Sequence, residues 1–286
     1  MSVLNLGIDA GNYRAKTAGP YGVDSYRTAI CSWFKRNIEE DFGEDDMEFE
    51  YNGRKGFAGT LASYEDMFGE SGMYGDNKAH DDTVIRVLLA IYRYTQKYCP
   101  GFLRFNIIVG QPIATHKPSE KKKLIDMLVG PHKIIVNRKT FHYTIEQVKV
   151  VAEGTGAFFA SPKSGRIHII DIGSGTVNLA TLTDAKHINQ SSGTFNYGVE
   201  TTGGRDNVDN LARAVIQSTT KLRWREEEPI YVCGGVTEEV IPVLSERYKN
   251  VQPIIPQLNS HNGMQIHLPT FANAIGFYEL ARQLYE

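Results

Sequence analysis

The first apolar run of the chain, Leu4 to Asp9, ends at Ala10-Gly11-Asn12 and predicts a strand entering a tight turn. Tyr26 to Phe34 predicts a further strand. Asn37 to Glu50 then carries eight acidic residues; clustered like charge stays solvated, so this stretch reads as a loop or small exposed subdomain. Glu48 to Tyr51 and Arg54 to Phe57 alternate around Asn52-Gly53, a hairpin signal because both turn residues tolerate positive φ. From Asp81 or Asp82 as N-cap, Val84, Val87, Leu88, Ile91 and Tyr92 recur at helical spacing and predict an amphipathic helix to about Tyr98, stopped by Cys99-Pro100-Gly101.

Phe105 to Val109 is a near-continuous apolar strand of the kind buried on both faces, closed by Gly110-Gln111-Pro112. A helix over Ser119 to Val129 comes next, with Gly130 and Pro131 as stop signals. Lys133 to Val136 and Thr140 to Thr144 form a second hairpin candidate, and Ile145 to Phe159 reads as a helix with Val148, Val151, Ala152, Thr155 and Phe159 along one side. Ile167 to Ile170 then enters Asp171-Ile172-Gly173-Ser174-Gly175-Thr176, with Val177 to Leu182 as hairpin partner, repeating the first strand and turn. A helix over Asp206 to Thr219 comes after Gly203-Gly204. Strand Ile230 to Cys233 runs into Gly234-Gly235, and a helix begins near Thr237. A last strand, Val251 to Ile255, precedes a C-terminal helix from about Thr270.

Each half thus places hairpins first and alternates helix and strand afterwards, which predicts two related α/β lobes with mixed sheets. Residues 1–152 form the first lobe, with the exposed subdomain at about 35–80. Residues 153–270 form a reduced second lobe, and 271–286 return as a helix to the first.

The chemistry rests on the repeated turn. Asp9-Ala10-Gly11-Asn12 and Asp171-Ile172-Gly173-Ser174-Gly175-Thr176 each end an apolar strand with an aspartate and continue in glycine and small polar residues. Such turns gather backbone N–H groups into a concavity, and glycine lets a phosphate approach without a β-carbon in the way. Two anions do not bind each other, so Asp9 and Asp171 would instead hold the waters of Mg²⁺, whose charge offsets the phosphates. Lys16 adds a cation within reach of a β-phosphate. One such turn alone is an ordinary Asp-Gly hairpin; two, in corresponding places of two halves, are not.

Cys233-Gly234-Gly235-Val236-Thr237-Glu238 offers a third glycine turn where bare backbone can lie against a nucleoside, and Gly203-Gly204-Arg205 precedes a helix that could face the same cleft. Taken singly, each is more often a plain helix start. Glu153 lies between the two phosphate turns, followed by Gly154 and Gly156, glycines that would let another element pack beside it. A carboxylate there could orient or deprotonate water attacking a γ-phosphoryl group; the competing reading is a solvated helix residue. Neither GxxxxGK[ST] nor GxGxxG after a strand is present, so nucleotide binding would be of another kind.

Composition narrows the partners. The chain has 286 residues, 31 basic against 33 acidic and a formal net charge of -2, so it carries no overall positive field to hold a nucleic acid directly. Three separated cysteines without CxxC spacing fit a reducing cytoplasm. No run of about eighteen apolar residues and no signal-peptide pattern occurs, so no membrane span is expected. The eight histidines show no metal-ligand spacing.

The ordered set resembles the actin-like superfamily: a first phosphate turn at Asp9 to Lys16 that includes Tyr13, a first connecting helix around Glu153, a second phosphate turn at Asp171 to Thr176, an adenosine turn at Cys233 to Glu238, and a second connecting helix around Asn273-Ala274-Ile275-Gly276. Within it, Phe105 to Val109 with Gly110-Gln111-Pro112-Ile113, and Val151-Ala152-Glu153-Gly154, are similar to the plasmid-segregating actins of the ParM and AlfA group. The resemblance implies an actin-like (ribonuclease H-like, duplicated) α/β fold with a nucleotide cleft. It implies that Glu153 activates water, that Asp9 and Asp171 organise Mg²⁺, and that Gly234 and Gly235 border the adenosine. Only 62 residues lie between Asp171 and Gly234, too few for the small subdomain that caps the second lobe elsewhere; AlfA-like chains lack it, and its loss leaves ATP or GTP open.

The same resemblance implies an ATPase that assembles head to tail into filaments, binding ATP and ADP with Mg²⁺ and working through a ParR-like DNA-binding adaptor on a plasmid centromere. An actin-fold small-molecule kinase and a membrane-associated shape-determining filament are the alternatives.

Overall fold

The computed structural model describes residues 2–38, 40, 43–65 and 78–286. Much of the exposed subdomain expected at about 35–80, with the acidic residues Glu39 and Asp41, lies outside the described residues.

The chain opens with β1 (Leu4–Ala10), β2 (Arg14–Gly19), β3 (Gly22–Arg27) and β4 (Ile30–Ser32), so the single strand expected over Tyr26 to Phe34 is split between the last two. β5 (Met47–Tyr51) and β6 (Arg54–Ala58) form the expected hairpin, with Asn52 at φ 49° and Gly53 at φ 79°. A short α1 (Thr60–Glu65) comes next. α2 (Asp81–Tyr98) buries Val84, Val87, Leu88 and Ile91 against β1 to β3. Its N-cap is His80, not an aspartate, and makes no side-chain capping bond. Four buried aliphatic side chains at about 1.5–3 kcal/mol each outweigh a missing cap of about 1 kcal/mol.

β7 (Arg104–Gln111), α3 (Pro118–Leu128), β8 (Gly130–Val136) and β9 (Lys139–Ala152) complete the first lobe. Its nine-stranded sheet runs β3-β2-β1-β7-β9-β8-β5-β6-β4, with β1, β7 and β9 parallel at the centre. The helix expected over Ile145 to Phe159 is overturned. Val148, Val150 and Ala152 are buried and Lys149 is exposed, a period of two that pairs β9 with β7 through Ala152. Val148, Val151, Ala152 and Thr155 satisfy a helical period as well; in so short an apolar run the two periods coexist, and pairing with a buried neighbour decides between them. Only Gly156–Ala160 turns helically, as one stretch of 3₁₀-helix.

The second lobe comprises β10 (Arg166–Ile172), β11 (Val177–Thr183), β12 (Lys186–His187), β13 (Gly193–Phe195), α4 (Val208–Lys221), β14 (Ile230–Gly234), α5 (Thr237–Ser245) and β15 (Val251–Pro253). Its sheet runs β12-β11-β10-β14-β15, and residues 222–229 connect α4 directly to β14. A hairpin not expected from the sequence, β16 (Gln257–Ser260) and β17 (Gly263–Ile266), comes after β15, and α6 (Ala272–Tyr285) ends the chain.

Two faces of β1 explain the layering. Leu4, Leu6, Ile8 and Ala10 enter the core shared with α2, while Gly7 lies under α6, so close that a β-carbon there would sit 2.2 Å from the Ala274 carbonyl oxygen. α6 also crosses the 3₁₀ turn: a β-carbon on Gly276 would lie 2.0 Å from the Gly156 carbonyl oxygen, and one on Gly156 would lie 2.1 Å from the Phe277 ring. Of the two glycines after Glu153, Gly156 thus admits another element, α6, whereas Gly154, at φ 74°, faces Asp171, Asn178 and Ala180 at ordinary contact distances. Among the described residues no helix is long and apolar enough to cross a membrane.

Candidate functional site

The two lobes repeat one device in register. Asp9 on β1 stands opposite Lys16 on β2, and Asp171 on β10 stands opposite Asn178 on β11. Both turns line one cleft of about 870 Å³.

Each turn is braced from outside. In the first, the Thr28 hydroxyl donates to the Gly11 carbonyl at 2.9 Å, and Arg86 of α2 donates to Asn12 Oδ1 at 3.0 Å, which orients the amide. Tyr13 stacks under the Arg27 guanidinium, 3.5 Å from the ring centroid. In the second, the Gly173 and Ser174 carbonyls accept from the Val199 and Glu200 N–H groups, at 3.1 and 2.9 Å. Gly173 N–H donates to the Thr176 carbonyl at 2.9 Å. This is a closed turn with its carbonyls engaged, the arrangement in which remaining N–H groups attract an anion.

The third turn leaves β14 at Gly234, whose φ of 118° excludes a side chain, as does the Ile172 carbonyl oxygen, which a β-carbon there would approach to 2.2 Å. Gly235, Val236 and Glu238 line the cleft beyond it. Arg205 closes this side by donating to the Gly235 carbonyl and to Glu239, both at 2.7 Å. Gly203 and Gly204 are not among the lining residues. With φ of 95° and 78° they turn the chain into α4 and place Arg205.

Buried charge gathers at the floor. Asp9, Glu153 and Asp171 are each less than a tenth exposed. Lys16 Nζ bonds Asp9 at 3.2 Å. Lys78, just before α2, donates to the Ala10 carbonyl at 2.8 Å and stands 3.5 Å from Glu153 Oε1. Asn178 Nδ2 donates to Glu153 Oε2 at 3.0 Å, and its own Oδ1 accepts from Thr194 at 2.6 Å, which fixes the amide's orientation. Asn273 of α6 donates to Asp171 Oδ2 at 3.0 Å and accepts from Gly154 N–H at 3.1 Å. Cys233 points its thiol at Asp171 from 3.6 Å, and burial beside that carboxylate pushes the thiol well above its ordinary pKa. Glu153 comes directly after β9, its N–H held by the Gln111 carbonyl at 2.9 Å, and is not on a helix.

Three carboxylates therefore face two ammonium groups in a space that disfavours net charge. Burial raises the Glu153 carboxyl against the opposing pull of Lys78. Burial, with the Glu153 and Asp9 charges, pushes Asp171 up to about 7. The surplus negative charge is balanced either by a proton or by a bound cation. No cluster of three or more His, Cys, Asp or Glu side chains among the described residues forms a complete cage. Asp9 and Asp171, buried at the floor of the cleft, fit Mg²⁺ held by one or two carboxylates with water and phosphate completing its shell, the usual mode of that ion.

The raised Asp171 carboxyl bears on the stability of the ligand-free protein. Asp171 titrates near 7 when folded and near 3.8 when unfolded, so the folded state holds the extra proton between those values and its stability falls as pH rises through that window. Burial holds His80, His116 and His168 below their ordinary pKa, which acts in the opposite sense. The Asp171 contribution is therefore read by difference. Asp171→Asn is expected to melt above wild type at pH 7.5, by an amount bounded at roughly 4 kcal/mol, and the gap is expected to narrow steadily as pH falls through that window and to close only below the unfolded value of 3.8. A gap independent of pH would show that the buried charge at Asp171 does not set the stability.

Of the residues expected from sequence, Asp9, Gly11, Asn12, Tyr13 and Lys16, then Glu153, Asp171, Gly173, Ser174, Gly175 and Thr176, then Arg205, Gly234, Gly235, Val236 and Glu238, come together around this cleft. Lys78, Asn178 and Asn273 join them unexpectedly. Asn178 carries a signal, a lone amide inside the apolar run Val177 to Leu182, and Asn273 another, an amide opening an otherwise apolar helix.

Residues 7–156 match the model of a family described as actin-like proteins, N-terminal domain. Among solved structures, the chain is similar to an AlfA filament bound to AMPPNP, at 24% identity and a TM-score of 0.79 with 100% of each chain covered. It is similar to an AlfA filament from B. subtilis plasmid pLS32, at 26% and 0.78 with 96% of this chain and 97% of that one covered. It is also similar to the apo ParM protein of psk41, at 17% and 0.74 with 99% and 98% covered. No curated protein matches.

Proposed function

The chain belongs to the actin-like proteins, and from that premise we propose that it is a nucleotide-dependent filament former that hydrolyses ATP, or GTP, and segregates plasmid DNA through an adaptor of the ParR kind. The observation that carries this reading is the pair of Asp-bearing hairpin turns, one from each lobe, lining a single cleft with Glu153 buried between them.

In this reading the two turns bind the phosphates through backbone N–H groups, Lys16 neutralises the β-phosphate, and Gly234, Gly235 and Val236 lie against the nucleoside. Asp9 and Asp171 would hold Mg²⁺, which supplies charge neutralisation of the phosphates. Glu153 orients a water and takes its proton as the water oxygen bonds to the γ-phosphorus. The bond from that phosphorus to the β–γ bridging oxygen breaks, and nucleoside diphosphate and inorganic phosphate leave. Asn178 holds Glu153 in place, and Asn273 holds Asp171. The short 222–229 connection fits a second lobe without a capping subdomain.

Assembly has surface support. Met264, Ile266 and Leu268 alternate along one strand and its extension and are each about two-thirds exposed. Leu268 also begins the cleft-lining segment Leu268 to Thr270. An apolar face of this kind is covered when copies stack through a non-closing contact.

Light scattering and sedimentation test the proposal. With Mg²⁺ and ATP or GTP the protein is expected to pellet and to release phosphate, and with no nucleotide to stay in the supernatant. Phosphate passed to an added small-molecule acceptor without any pelleting would replace the filament by a kinase.

A further inference from the structure

Lys78 has no part in the hydrolysis as proposed, yet it is placed where that reaction needs a cation. Its ammonium group is buried, it lines the cleft, and it bridges the end of β1, at the Ala10 carbonyl, to Glu153. The two contacts differ in quality. The bond to Ala10 is well made at 2.8 Å. The approach to Glu153 Oε1 is 3.5 Å, and that oxygen has no hydrogen bond, whereas a good ammonium–carboxylate bond spans about 2.7–2.9 Å. An ammonium has three donors, and only the Ala10 contact uses one well.

The other cations around the cleft each have an acceptor of their own. Lys16 is bonded to Asp9, Arg14 to Ser25, and Arg205 to Gly235 and Glu239. Lys78 differs from them in position: it stands between the first phosphate turn and the carboxylate proposed to prepare the attacking water, 3.5 Å from a carboxylate oxygen that has no hydrogen bond.

Resting on the triphosphate reading of this cleft, we propose that Lys78 binds the terminal phosphoryl group and leaves Glu153 when that group arrives. An oxygen of the γ-phosphoryl replaces Glu153 Oε1 as its acceptor, and Glu153 is released to hold water. With a diphosphate bound, nothing draws Lys78 away and it stays on Glu153. The lysine thus distinguishes triphosphate from diphosphate and frees the base only when there is a bond to cleave.

Calorimetric titration with Mg²⁺ and either AMPPNP, a non-hydrolysable triphosphate, or ADP tests this. Lys78→Met is expected to weaken AMPPNP about 10- to 100-fold, the weight of one charge-assisted hydrogen bond, with ADP changed by less than about 3-fold. Lys78→Arg should recover most of the AMPPNP affinity. Glu153→Gln should bind AMPPNP at least as tightly as wild type, since Lys78 then leaves no carboxylate behind.

The double variant Lys78→Met/Glu153→Gln removes both buried charges together and so keeps the fold if the single lysine variant does not. It should show the full AMPPNP loss relative to Glu153→Gln. Equal weakening of AMPPNP and ADP, or a loss that vanishes in the double variant, would mean that Lys78 only neutralises Glu153, and would overturn the proposal. A wild-type protein that binds neither nucleotide would overturn the triphosphate reading itself, and the Lys78 proposal with it.

Discussion

Glu153→Gln is expected to slow phosphate release about 10²- to 10⁴-fold, the usual weight of a positioned general base, while nucleotide-dependent pelleting persists. The substitution keeps the shape of the side chain and removes its charge and with it its basicity, while Lys78 keeps its bond to the Ala10 carbonyl. Asn178 stays oriented by Thr194, and the backbone of residue 153 stays tied to Gln111, so the surrounding cleft has no reason to rearrange. Binding and closure need the phosphate turns, whereas the chemical step needs the carboxylate. Single-turnover phosphate release measured beside sedimentation separates them. Normal release with lost pelleting would reverse the assignment and make Glu153 a structural residue.

The second large effect is on the fold itself. Gly276→Ala is expected to cost about 3 kcal/mol or more, at the upper end for overpacking, and to lower Tm by roughly 5–10 °C. The new β-carbon would lie 2.0 Å from the Gly156 carbonyl oxygen and 2.9 Å from its carbon. These are backbone atoms of a turn held between β9 and β10, and they cannot swing aside as the end of a long side chain does. By contrast, Gly235 has only the Arg205 guanidinium within 4 Å, at 3.9 Å, and alanine there should leave the melt nearly unchanged. Thermal melts of the two variants make the comparison; a Gly276→Ala melt equal to that of Gly235→Ala would show that α6 is not wedged against the turn.

The parts of the fold legible in the sequence are those that neighbouring residues determine. The helix ending at Tyr98, the Asn52-Gly53 hairpin and the strand through Val109 come from periodicity and turn chemistry, and the repeated Asp-Gly turn points to the actin-like fold. β9 reads as a helix because its apolar residues satisfy two periods at once, and only β7, more than thirty residues earlier, selects between them. The β16–β17 hairpin carries a weak local signal in Asn262-Gly263. The cleft's supporting groups are less accessible. Asn273 meets Asp171 across 102 residues of chain, and Lys78 meets Glu153 across 75; nothing near either residue announces its partner. Gly203 and Gly204 bend the chain into α4, a backbone role that their positive φ makes legible only in the fold.

The crossing of α6 over Gly156 has a mechanical consequence. Packed this closely, helix and turn can roll on each other but have no slack in which to slide, so the contact acts as an axle. Any turning of one sheet against the other is then small at the hub and grows with distance from it. A fluorophore near Ala160 would stay silent while the lobes rock, whereas a pair placed one on each sheet, far from that turn, would report the lever's full throw.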